Sequence, residues 1–187
     1  MSQPIFTDGL GYEGKVTLTL KSQGKVLDTK TYKNSGTAQL FNFLGRCLIG
    51  DYTIPTQRLL PSKIMLLHNE EDFPDHTKAK EITSRSYWQT LSQQPTIISE
   101  SDTAQVRVIY SFEVPKAAIE QSTFNQVALY GTGITDIKDF SAYYFLTTDG
   151  GEFDNQSTKD WSASTILLIE WELTLSNKNT LLSQGEG

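Results

Sequence analysis

AQVRVIYSFEV, residues 104–114, is the stretch that decides the fold. Ala104, Val106, Val108, Tyr110, Phe112 and Val114 recur at every second position, with Gln105, Arg107, Ser111 and Glu113 between them. A period of two places the first set on one face of a β-strand and the second on the other. Ile109 alone interrupts the polar side, and Pro115, which cannot donate to a ladder, ends the run.

Working outward, a second strand of the same kind lies at 164–176. Leu167, Ile169, Trp171, Leu173 and Leu175 face inward, while Glu170, Glu172 and Thr174 face out. Ile166 and Leu168 make its first half apolar on both sides, as a central strand requires. Toward the N-terminus, Val16, Leu18 and Leu20 alternate with Thr17, Thr19 and Lys21. Ser22-Gln23-Gly24 is a short polar link, and Lys25 to Tyr32 returns as the second arm of a hairpin. Ile64 to Leu67 reads as a short buried strand, and 81–91, with Ile82, Tyr87, Trp88 and Leu91, as a more exposed one. Two further β-rich segments, 124–130 and 140–146, are separated by Gly131-Thr132-Gly133 and its neighbours.

One segment changes period. Leu40, Phe41, Phe43, Leu44, Cys47 and Leu48 fall on one stripe of a helix spanning roughly 36–49. Asn34 or Ser35 can cap its start, and Gly50 stands where a left-handed terminating residue is tolerated. The sum is a mainly β chain: an antiparallel β-sandwich of about eight strands, with the single helix following the first hairpin and packed on one sheet or plugging one end.

The chain has 187 residues, which suits one domain, here 14–177. Residues 1–13 form an N-terminal arm carrying Ile5, Phe6, Leu10 and Tyr12 in a glycine-rich context, and 178–187 a loose tail. Such an arm suits docking on a neighbouring subunit and equally suits lying on its own domain. The net charge of −6 argues against binding a phosphate backbone. With 37% hydrophobic and 20% charged residues there is apolar material for a core. A lone cysteine, Cys47, excludes an intramolecular disulfide and a four-cysteine zinc site. The first residues lack the pattern of a signal peptide, and the longest apolar runs fall far short of the roughly 20 residues of a membrane span.

The search for chemistry yields little that converges. His68 and His76 flank Glu70, Glu71, Asp72 and Asp75, ligand atoms enough for a divalent ion, but the spacing matches no metal motif. A solvated acidic loop is the plainer reading, with a weak ion site or a charged partner contact beside it. Asp149, Glu152, Asp154 and Asn155 lack the alternate-position acids of a calcium loop and read as a turn. Glu170 and Glu172 project from one strand face about 7 Å apart, a spacing common to any polar strand face. Cys47 reads as a helix core residue. Tyr87, Trp88, Tyr143, Tyr144 and Trp161 suit a core or a subunit interface, and alternatively offer flat faces to a sugar ring. No acid, base and nucleophile gather, so neither an enzyme nor a cofactor is expected.

Taken in order, several segments resemble the small β-rich tail or baseplate proteins of tailed-bacteriophage virions. They are the opening hairpin GKVTLTLKSQGKVLDTKTYKNSGT, the helix TAQLFNFLGRCLIG, the proline-flanked LPSKIMLL, then FNQVALYG, SAYYFLT and the closing STKDWSASTILLIEWELTLSN. Phe124, Asn125, Leu129, Tyr144, Phe145, Lys159, Trp171 and Leu173 occupy the places that the similar proteins fill with comparable residues. The resemblance covers about residues 14–177 through short hydrophobic motifs. It implies a structural, non-enzymatic virion subunit, assembled in the host cytoplasm into a tail, baseplate or collar. It also implies binding to itself, in a ring or other homo-oligomer, and to neighbouring tail or neck proteins. Contacts are then expected at Ile5, Phe6, Leu10, Tyr12, Ile109, Tyr87 and Trp88. A carbohydrate-binding β-sandwich that recognises a host surface is the alternative.

Overall fold

Among its described residues the computed structural model forms two five-stranded antiparallel sheets and one two-stranded ladder. It describes residues 8–36, 40, 44–45, 48–50, 61–67, 85–90, 94–100, 105–119, 122–131, 142–147 and 153–179. The strands are β1 (Asp8–Ser22), β2 (Lys25–Lys33), β3 (Ser35–Gly36), β4 (Pro61–Leu67), β5 (Arg85–Thr90), β6 (Thr96–Glu100), β7 (Gln105–Pro115), β8 (Thr123–Phe124), β9 (Gln126–Gly131), β10 (Ala142–Thr147), β11 (Gln156–Ser157) and β12 (Thr165–Asn179). The first sheet runs β2-β1-β12-β7-β6, the second β3-β10-β9-β4-β5, and β11 pairs with β8.

The first sheet follows from the alternation in its sequence. Val16 pairs with Trp171 and Trp171 with Tyr110; in the next inward row Leu18, Ile169 and Phe112 stand side by side. Trp171, Ile169 and Phe112 are fully buried. The β1–β2 hairpin turns through Gln23 and Gly24 at φ 50° and 78°, the two left-handed residues of the turn whose twist matches a hairpin. A bulge at Leu20/Lys21 follows, leaving Val26 and Leu27 beside the turn 59% and 58% exposed. From the second sheet, Ile64, Leu66, Val127 and Leu129 join Val16, Phe112, Ile169 and Trp171 in a single buried cluster. Met65 and Ala128, which alternate with those residues, are equally buried, so β4 and β9 are covered on both faces as the apolar run at 64–67 suggests.

Several expectations need correction. Twelve strands, not eight, are formed among the described residues. β6, β3 and β11 went unseen because they are short and lack alternation, and the segment at 124–130 is cut by Asn125 into β8 and β9. Of the helix expected at 36–49, Gly36 belongs instead to β3, paired with Tyr144, and residues 37–39, 41–43 and 46–47 lie outside the described residues. Leu40, Leu44, Gly45, Leu48 and Ile49 do have helical backbone. Leu40 is buried and Leu44 packs on the core, but Leu48 and Ile49 are 87% and 79% exposed, so the stripe does not stay against the sheet. Phe41, Phe43 and Cys47 lie outside the described residues.

The arm also ends earlier than expected. Residues 8–13 are the start of β1, pairing from Asp8 with Asn179 to Glu13 with Thr174, and β12 correspondingly runs past 177. Gly9, Gly11 and Gly14 hide the alternation here, and a long partner strand supplies the order that local sequence does not. Gly14 has its own reason. The Asn34 amide nitrogen donates to the Tyr12 hydroxyl at 2.7 Å, and the Asn34 backbone N–H to the Gly14 carbonyl at 3.1 Å. This folds the Asn34 side chain over the Gly14 Cα, where a methyl group would collide with Asn34 Oδ1.

Two expectations follow. Gly14→Ala destabilises by about 1–3 kcal/mol through overpacking, and by less in an Asn34→Ala background, as a double-mutant cycle of urea midpoints measures. Burial pushes the Tyr110 hydroxyl from 10.0 up to about 12, so the unfolded chain loses this proton first. Stability is therefore intact below pH 10 and falls as pH rises toward about 12. Tyr110→Phe flattens that alkaline decline in denaturant titrations across the range.

Candidate interaction surface

The strand residues that alternate with the core rows form the outer face of the first sheet. β12 lies in the middle, so its outer residues Glu172, Glu170, Leu168 and Ile166 run down the centre of this face. Lys15 of β1 flanks Glu172 on one side, and Arg107 of β7 approaches it from the other. The Lys15 Nζ lies 3.5 Å from Glu172, Arg107 reaches Glu172 at 4.0 Å, and Arg107 also pairs with Glu100 of β6 at 2.7 Å. Four strands are thus crossed by a chain of alternating charge. A cleft of about 670 Å³ opens beside it, lined by Glu13, Lys33, Asn34, Gln105 and Thr174 together with Glu172, Arg107 and Glu100. Arg107 Nε is buried with no hydrogen-bond partner among the described residues.

The far half of the same face is apolar. Ile166 is 39% exposed, Leu168 is half-buried, and Val26 projects from the neighbouring hairpin. The sheet ends in β2 on one side and β6 on the other, and both are largely exposed along their length. Ile97 on β6 is the most exposed of their apolar side chains.

On the inner side a smaller pocket of about 210 Å³ lies beneath β2. Leu18, Leu20, Phe124 and Leu167 floor it, Trp161 walls it, and Asp28, Lys30 and Asn155 reach its rim. The Trp161 ring meets Phe124 edge-on at 6.4 Å, and Phe153 bridges Phe124 to Tyr32, whose ring lies 4.9 Å away. Gln156 Nε2 donates to the Tyr32 hydroxyl at 3.3 Å. Burial, with the negative charges of Asp154 and Asp28, holds that hydroxyl above its ordinary value.

The residues singled out from sequence are scattered across the fold. Tyr12 sits in β1, partly buried against the core and bound to Asn34 rather than displayed for a partner. Leu10 is in the same strand, opposite Asn177. Ile109 lies on the outer face in register with Glu172, half-buried. Tyr87 and Trp88 belong to β5, the edge of the second sheet, opposite Leu66 and Met65. Ile5, Phe6 and the whole acidic loop, His68, Glu70, Glu71, Asp72, Asp75 and His76, lie outside the described residues. Asp154 and Asn155 are exposed in irregular backbone just before β11, and Asp149 and Glu152 lie outside the described residues. Glu172 of the strand carboxylate pair is engaged by two cations, while Glu170 faces solvent between Thr17 and Ser111.

Sequence reading missed Glu100, which meets Arg107 across the β6–β7 pairing, and offered Asn34 only as a helix cap, whereas it binds Tyr12 and Gly14 of β1. Among the described residues no group of three or more His, Cys, Asp or Glu is placed to hold a metal ion, and no helix is long and apolar enough to cross a membrane. A broad face of paired charge bordered by exposed apolar edges is chemistry for recognition.

Because these ion pairs are part-exposed, Glu172→Gln is expected to cost less than about 1 kcal/mol, with the loss shrinking at high salt. Urea unfolding of both proteins at low and high salt measures it. Comparison with protein-family models, with curated proteins and with solved structures finds no match to this chain.

Proposed function

We propose that the chain is a structural, non-enzymatic subunit of a bacteriophage virion, a homo-oligomeric adaptor of tail, baseplate or collar that binds neighbouring virion proteins. In this reading the two five-stranded sheets stack as a β-sandwich, and assembly takes place in the host cytoplasm. The observation that carries it is the first sheet's exposed perimeter: Val26, Leu27 and Ile97 stand 59%, 58% and 68% exposed on its two edges. Apolar side chains on edge strands are a liability to a solitary molecule and an asset to one that is covered on assembly. The charge chain from Lys15 to Glu100 adds a patterned surface that fixes register between stacked parts more than it adds affinity. The order of segments along 14–177, similar to small β-rich tail proteins, supplies the virion context.

The inner pocket favours a second reading, a carbohydrate-binding β-sandwich engaged in host-surface recognition. Its indole wall, apolar floor and rim of carboxylate, amide and ammonium groups suit a single sugar ring.

Mass spectrometry of virions purified from the encoding phage is expected to find the chain in fixed stoichiometry with other tail proteins. Absence from particles under all conditions sinks the first reading. Glycan-array binding lost on Trp161→Ala supports the second, and a blank array removes it.

A further inference from the structure

The geometry of the first sheet points to a specific contact between copies. We propose that β2 of one copy accepts β6 of the next, so that one sheet continues across the subunit boundary. This identifies how the homo-oligomer of the virion reading is joined, and rests on that reading.

Direction comes first. Between β2 and β6 lie four antiparallel pairings, β2–β1, β1–β12, β12–β7 and β7–β6, so the two edges run the same way. Copies placed head to tail therefore present β6 parallel to β2. A head-to-tail contact is heterologous and closes into a ring when its rotation allows.

Charge selects the partner. β2 carries Lys25, Lys30 and Lys33 against Asp28 alone, whereas β6 has no basic residue and ends in Glu100. Two β2 edges brought together set lysines against lysines, which is destabilising in paired strands. With Thr29 beside Ile98, Lys30 meets Ser99, and Lys33 lies two residues past the place of Glu100 on the same outer face, so these two lysines meet an edge without positive charge. Lysine on an edge strand is also a common guard against pairing. A guard, however, gives no reason for Val26 and Leu27 to lie 59% and 58% exposed on that strand, nor for Ile97 to stand 68% exposed on the other edge.

Faces agree as well. Thr29 is in register with Thr19 and through it with Leu168, and Ile98 with Arg107, which places both on the outer side. Setting Thr29 beside Ile98 keeps outer face next to outer face. β6 is only five residues long and parallel pairing is the weaker kind, so association is concentration-dependent.

The test uses the full chain with Cys47, its single cysteine, replaced by serine. Thr29→Cys and Ile98→Cys proteins are made separately, checked for an unchanged urea midpoint, and oxidised alone and mixed. The expected result is a mixed disulfide dimer from the mixture and none from either protein alone. In the mixture, Lys30→Glu with Lys33→Glu lowers its yield about ten-fold or more at low salt. A disulfide dimer from Thr29→Cys alone, or from Ile98→Cys alone, assigns the edge to a twofold contact and overturns the proposal. So does the absence of cross-linking with a monomer in sedimentation at every concentration, or a yield indifferent to the lysine reversals. The chain found in virions without this cross-link removes the contact and leaves the virion reading standing; the cross-link without virion incorporation does the reverse.

Discussion

The pairing of β1 with β12 is the constraint on which the rest of the molecule depends. It runs from Asp8 opposite Asn179 to Ser22 opposite Thr165, joining the two ends of the described chain along its longest ladder. β12 thereby stands between β1 and β7, and every inward row of the first sheet passes through it. Trp171 is the clearest case, with Val16 on one side and Tyr110 on the other, and no exposed surface. A side chain of that size, buried among apolar neighbours, contributes a few kcal/mol on the scale of about 25 cal/mol per Å². The second sheet contributes Ile64, Leu66, Val127 and Leu129 to the same buried cluster.

The same register sets the electrostatics of the opposite face. Glu172 follows Trp171, so fixing the indole in the core fixes the carboxylate at the centre of the outer side. Lys15 and Arg107 reach it because their own neighbours, Val16 and Val108, are held in inward rows. A slip of one residue would send Trp171 to solvent and a row of charges inward, which is why the alternation is specified so firmly. Surface pattern and core packing are therefore one decision, and the exposed edges inherit their chemistry from it.

Strands whose two faces differ were legible in the sequence. β1 from Val16, β7 and β12 stand where the alternation places them, and the unbroken apolar run of β4 correctly signals burial on both sides. What failed was order supplied from a distance. Residues 8–13 look like an arm because glycines carry no side-chain signal, and only the length of β12 shows that they have a partner. Leu48 has the spacing of a buried helix residue yet is exposed, because periodicity tells which residues share a stripe and not how far the covering sheet extends. The charge chain was half visible: Arg107 and Glu172 could be placed on polar strand faces, but not as diagonal neighbours, since their strands lie far apart in sequence.

The central position of β12 carries a consequence for how the protein comes into being. During synthesis the β1–β2 and β6–β7 hairpins leave the ribosome long before residues 165–179, and until then each lacks the strand that joins them. Neither half can complete its ladder, and long-range β pairing of this kind is slow because chain entropy is lost before contacts compensate it. Translation that stops early therefore releases two unlinked half-sheets with bare apolar faces, material for proteases and chaperones rather than for any larger architecture. Only polypeptides translated past residue 179 can therefore close the first sheet.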